Sequence, residues 1–182
     1  ITLCVALSYG SRAEIVSAVK NIPCKIDCVD ILELAIKKLY DNAEELGVAS
    51  CINGIVAPIE NYSIKENEYD LIIAVSALEH IDSEESFLTK LSEIKNGIRN
   101  NGIVCLVINS DITENEKSTG KEIPAQFEVN LPTKKLQTIL ENTFSGFEII
   151  KTTVSEQQYD IPRGNIISNL KTTVVTFVAR KK

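Results

Sequence analysis

The run Tyr69–Val75, "YDLIIAV", constrains the fold more than any other stretch of the sequence. After Asp70 every residue is apolar, with no polar position to face water. A strand of that kind is covered on both faces, as in the parallel sheets of α/β proteins. "NNGIVCLVIN", ending at Asn109, repeats the pattern after a turn. Between and around these runs lie segments with helical periodicity. Leu32, Ile36, Leu39, Ala43 and Leu46 fall on one face of a helix over Glu33–Leu46, whose other face carries Lys37, Lys38, Asp41, Glu44 and Glu45. Phe87, Leu91, Ile94 and Ile98 repeat at the same spacing after Asp82-x-x-Glu85, which reads as a capping box.

With Ile1–Leu7, Lys25–Val29, Ser50–Val56, Phe147–Val154 and Thr172–Ala179 as further strands, and Ser11–Lys20 and Pro132–Phe144 as further helices, strands alternate with helices until the end. The last two strands have no helix between them, only "YDIPRGN", so they pair antiparallel. The sequence therefore predicts an α/β protein with a seven-stranded, mostly parallel sheet, an antiparallel last strand between the fifth and sixth, and helices on both faces. The polar stretch Ser110–Gln126 reads as an irregular, mobile wall over the substrate side. No linker, repeat or low-complexity tract divides the 182 residues, which read as one domain.

Charge and cysteines narrow the function. The net charge is −6, and the basic residues are scattered apart from Arg180-Lys181-Lys182. This argues against a nucleic-acid partner. No apolar run approaches the roughly 20 residues that span a bilayer, and Ile1–Leu7 has no basic flank or cleavage pattern. Cys4, Cys28 and Cys105 lie within apolar runs, so the five cysteines read as free thiols of a reducing cytoplasm rather than as disulfides or a zinc site. "STGKE" is not a phosphate loop: Asn115 stands where its first glycine belongs and Glu122 where Ser or Thr is needed.

The order strand, glycine turn, helix, strand, acid over Val5–Asp30 is that of a nucleotide-binding βαβ unit, with Gly10 about 20 residues before Asp30. Asp30 can accept two vicinal hydroxyls through its two carboxylate oxygens, or cap the next helix. Gly10 and its neighbours can offer backbone N–H groups at a helix N-terminus, or form a plain turn. Val75, Ser76 and Ala77 leave the fourth strand, where ligands of open α/β sheets bind. His80, the single histidine, is the candidate substrate-side base or hydrogen-bonding group, or an ordinary helix-start residue. Glu60 is a solvated loop charge, and Asp70, at the opposite end of its strand, is structural.

Several stretches resemble the class I S-adenosylmethionine-dependent methyltransferases, with a Rossmann-like sheet. "CKIDCVDILELAIKKL" looks like that family's second strand and following helix, "NEYDLIIAVSALEHI" like its fourth strand and exit loop, and "IRNNGIVCLVIN" like its turn into the fifth strand. The tail, "FEVNLPTKKLQTILENTFSGFEIIK" with "VVTFVARKK", is similar to the small tellurite-resistance-type members. The resemblance covers about 150 residues. It implies S-adenosyl-L-methionine as cofactor and methyl transfer to a small molecule. It places Ser8, Tyr9 and Gly10 at the methionine end, Asp30 and Ile31 at the ribose, Pro58 and Ile59 at the adenine, and Val75 and Ser76 near the sulfonium. The turn Ser8-Tyr9-Gly10-Ser11-Arg12 keeps one glycine of the family's three, and the first twenty residues are locally similar to the cis-prenyltransferases. Pro58 stands where the family often has Asp. These departures motivate an alternative, a methyltransferase-like binding or regulatory module without catalysis. A nicotinamide-dependent dehydrogenase fits less well, because Gly-x-Gly-x-x-Gly is absent.

Overall fold

Continuous apolar runs become the middle of a sheet because only there are both of their faces dry. The computed structural model describes residues 2–7 and 25–182. The turn Ser8–Arg12 and the helix expected over Ser11–Lys20 lie outside the described residues. The described residues form seven strands: β1 (Thr2–Leu7), β2 (Lys25–Asp30), β3 (Ile52–Val56), β4 (Tyr69–Val75), β5 (Ile98–Glu116), β6 (Phe147–Arg163) and β7 (Ile166–Lys181). Among the described residues three α-helices accompany them: α1 (Glu33–Glu45), α2 (Glu84–Gly97) and α3 (Thr133–Thr143). The strand order is β3-β2-β1-β4-β5-β7-β6. The pairings from β3 to β5 are parallel, and β7 runs antiparallel to both β5 and β6.

The two faces are covered by different helices. On β4, Ile72 and Ala74 join the core shared with α2, α3, β5 and β7. Ile73 and Val75, pointing the other way, pack against the core of α1, β2 and β3. The period-two alternation of a strand thus divides one apolar run between two cores. Within the larger core, Phe144 lies 5.3 Å from Phe147 and 5.4 Å from Phe177, ring centre to ring centre. Tyr69, fully buried, donates its hydroxyl to Asp27 Oδ2 at 2.9 Å, where Tyr62 also donates at 3.0 Å. Asp70 works at the amino end of β4: it accepts the Thr2 N–H at 2.7 Å and pairs with Arg99 at 3.3 Å. The thiol of Cys28 is buried, and desolvation pushes its pKa up to about 12.

Several expectations need correction. The sheet is mixed: β7 lies between β5 and β6, as the sequence predicts, and runs antiparallel to both, while β5 itself pairs in parallel with β4. The stretch expected to be irregular from Ser110 is strand as far as Glu116, with Thr113–Glu116 paired to Ser168–Lys171 beyond a bulge. It then folds back, so that Asn115 bridges Glu122. "YDIPRGN" is not a link but strand up to Arg163. Gly164 and Asn165 form the whole turn, Gly164 at φ +62°, as the first position of a type II′ hairpin requires. The third strand starts at Ile52, after a 3₁₀ turn over Ala49–Cys51. The cap of α2 is Ser83, which accepts the Ser86 N–H at 3.2 Å, and Asp82 instead accepts the Ser83 hydroxyl.

Candidate active site

The strand order reverses beside β1, which has β2 on one side and β4 on the other. Ligands of open α/β sheets bind at the carboxyl ends of strands at such a reversal. Asp30 ends β2, its register partner Val56 ends β3, and Val75 ends β4 opposite Leu7 of β1. Asp30, Ile31, Pro58, Ile59, Val75 and Ser76 therefore all lie along one edge of the sheet. Ser8, Tyr9 and Gly10 follow directly on Leu7 in the chain but lie outside the described residues.

Asp30 is not the cap of α1. That position is Leu32, which has no side-chain cap. Asp30 Oδ1 instead accepts the Leu32 N–H at 2.9 Å, and its carbonyl accepts the Ala57 N–H at 3.1 Å. These bonds fix its carboxyl between the loops leaving β2 and β3. Beside it Ile31 is 64% exposed, Leu32 53% and Val56 50%. A group of large aliphatic side chains left in water next to a carboxylate is a surface suited to a flat apolar ring with a hydroxylated neighbour. Pro58 opens the 3₁₀ turn Ile59–Asn61, and Ile59 rests partly buried against the larger core.

Ser76 leaves β4 in a left-handed conformation, φ +46°. For a serine this is strained, and it persists only when its surroundings hold it. Its N–H donates to the Val107 carbonyl at 2.9 Å, and its Oγ accepts from Asn109 Nδ2 at 3.2 Å. Asn109 Nδ2 also donates to Glu79 Oε1, while Asn109 Oδ1 accepts the Thr172 hydroxyl at 2.9 Å. The side chains of Asn109, Glu79 and Thr172 were not among the residues singled out from the sequence. The legible signal was Asn109 itself, an amide at the end of an otherwise apolar run.

His80 stands at the rim. Its ring stacks on Phe127 at 4.8 Å, and its Nδ1 lies 3.2 Å from Glu128 Oε2. Phe127 also lines an open cleft of about 430 Å³ with Ile112, Thr113, Glu114, Glu122 and Ile123. The wall of this cleft is fastened from the hairpin tip. Arg163 donates from Nε to Glu114 Oε1 at 2.8 Å and from Nη2 to Oε2 at 3.0 Å, and also reaches Gln126 Oε1. Asn130 pins the bulge of β5 by bonding both the N–H and the carbonyl of Ile112. Glu114 is buried, and the Arg163 bonds hold its pKa below the ordinary carboxylate value.

Residues 3–106 match the family model described as a methyltransferase domain. No curated protein matches the sequence. Among solved structures, TehB from Haemophilus influenzae is 16% identical with a TM-score of 0.71, and the match covers 99% of this chain and 57% of TehB. YcgJ from Bacillus subtilis is 12% identical with a TM-score of 0.65, covering 100% of this chain and 92% of that one. A geranyl diphosphate methyltransferase, solved with S-adenosylmethionine, is 13% identical with a TM-score of 0.65, covering 100% and 78%.

Proposed function

We propose that this chain, which belongs to the methyltransferase-domain family, transfers a methyl group from S-adenosylmethionine to a small-molecule acceptor. The observation that carries the reading beyond the family is the placement of Asp30 at the strand-order reversal, beside exposed Ile31, Leu32 and Val56. A carboxylate next to aliphatic side chains suits the two vicinal hydroxyls and the adenine of that cofactor, so the residues present fit it. Bound there, the cofactor would supply an electrophilic methyl carbon on a positively charged sulfur.

The chain's own residues have positioning roles. Asp30 accepts the ribose hydroxyls; Ile31, Pro58 and Ile59 cover the adenine; Ser8, Tyr9 and Gly10 offer backbone donors to the methionine end; Val75 and Ser76 border the reactive methyl. The cleft lined by Ile112 and Phe127 holds the acceptor, with His80 at its rim to bond or deprotonate it. Scattered basic residues favour a small acceptor over nucleic acid, no described helix is long and apolar enough to cross a membrane, and the buried thiol of Cys28 suits a reducing cytoplasm.

Calorimetric titration with S-adenosylhomocysteine tests the reading. Asp30→Ala removes charge-assisted hydrogen bonds of roughly 1.5–3 kcal/mol, so affinity falls about 10- to 150-fold. Asp30→Asn falls between. Unchanged affinity in a folded Asp30→Ala protein would remove Asp30 from the site. Tight binding without transfer to any acceptor would favour the binding-module alternative, and binding of a nicotinamide dinucleotide instead would refute both.

A further inference from the structure

Glu79 lies three residues beyond Ser76 and is fully buried. One of its oxygens, Oε1, receives two donors, the backbone N–H of Asn109 at 3.2 Å and Asn109 Nδ2. The other, Oε2, has no partner among the described residues. Phe87, Ile108, Val129, Leu131 and Leu136 surround the space beside it. Among the described residues no Lys or Arg pairs with Glu79. Its charged or titratable neighbour is His80, whose ring is turned to Glu128 and Phe127. The side chains that face it from α2, β5, α3 and the segment before α3 do not titrate.

A carboxylate in this place would set an uncompensated negative charge against carbon. Two donors on one oxygen and none on the other is the pattern of a carboxylic acid with its carbonyl at Oε1 and its hydroxyl at Oε2. Burial separately raises its pKa above the ordinary 4.5. In that form Glu79 joins three parts of the fold. Its side chain holds Asn109 on β5, which in turn holds the Ser76 hydroxyl and Thr172 of β7. Its backbone carbonyl accepts the Val129 N–H at 3.0 Å, anchoring the cleft wall.

We propose that Glu79, as a neutral acid, is a positioning residue that keeps Ser76 in its left-handed conformation at the methyl-donor end of the site. It acts through Asn109 and touches no reacting atom. Ionisation would force the side chain toward water, release Asn109 and let Ser76 relax. The inference rests on the methyltransferase reading for its functional readout.

The test compares the unaltered protein with Glu79→Gln and Glu79→Ala. Infrared spectra at neutral pH should show a protonated-carboxyl C=O band that disappears in Glu79→Gln. S-adenosylhomocysteine affinity should stay within about threefold in Glu79→Gln, which keeps the acceptor without the charge, and fall at least about tenfold in Glu79→Ala. As pH rises through the raised folded pKa of Glu79, the unaltered protein should lose affinity as the acid ionises, and Glu79→Gln should not. If Glu79→Ala does not fold, the contrast in pH profile between the unaltered protein and Glu79→Gln decides. A missing band, a Glu79→Gln as weak as Glu79→Ala, or a folded Glu79→Ala of full affinity would overturn the proposal. No S-adenosylhomocysteine binding by the unaltered protein would overturn the cofactor reading instead, and the positioning role with it.

Discussion

Two buried glutamates, Glu79 and Glu114, differ in their partners, and this sets opposite pH dependences. Glu79 is desolvated and meets no cation among the described residues, so its folded pKa is raised above 4.5. The native state then holds the proton that the unfolded chain releases, and stability falls as pH rises from about 4.5 through the folded value. Glu114 receives Arg163 in bidentate fashion, and its folded pKa is lowered. Its contribution is present above 4.5 and is lost as pH falls through the folded value. Urea unfolding across pH checks both: Glu79→Gln should flatten the alkaline side of the stability profile, and Glu114→Gln the acid side. Parallel profiles in all three proteins would show that neither group titrates as described. Arg163→Met should cost about 3 kcal/mol, because it leaves Glu114 buried without its cation; a loss below about 0.5 kcal/mol would make the pair a surface contact.

At the scale of elements, caps and turns decide where strands and helices stop. Ser83→Ala removes the side-chain cap of α2 and should lower stability by about 1 kcal/mol, whereas Asp82→Ala should change it much less. Thermal unfolding separates the two, and an equal effect would mean that Asp82 shares the cap. The extension of β5 through Glu116 was hidden because its positions alternate a buried acid with polar neighbours, a pattern that resembles a loop when the partner is unknown. Glu114 is tolerable in a strand only because Arg163 and Ser168 meet it from the hairpin, 49 and 54 positions away. The same contact explains the length of β6 and β7, whose polar tip pairs with itself around Gly164. By contrast β4, bounded from its apolar run alone, has the expected limits, Tyr69–Val75.

Across the whole molecule, cohesion is uneven. β7 lies between β5 and β6 with Val175, Phe177 and Ala179 buried, while residues 148–160 of the edge strand β6 are exposed. Amides of β4, β5 and β7 should exchange with solvent only on global unfolding, and those of β6 beyond Val154 by local fraying. Hydrogen exchange followed residue by residue checks this; equal protection along β6 and β5 would contradict it. The sequence by itself determined the alternation of strands and helices, the central position of β4 and the antiparallel finish, because periodicity and dryness are local properties that neighbouring residues encode together. It also brought Asp30, Val75 and Ser76 forward, since the carboxyl ends of parallel strands converge whatever the side chains. It took the folded arrangement to decide that Asp30 makes a turn rather than a cap, that Glu79 lies without a counter-charge among the described residues, and that Glu114 is paired. Burial and partnership of a polar group depend on residues distant in the chain, and no local pattern specifies which of them will meet it.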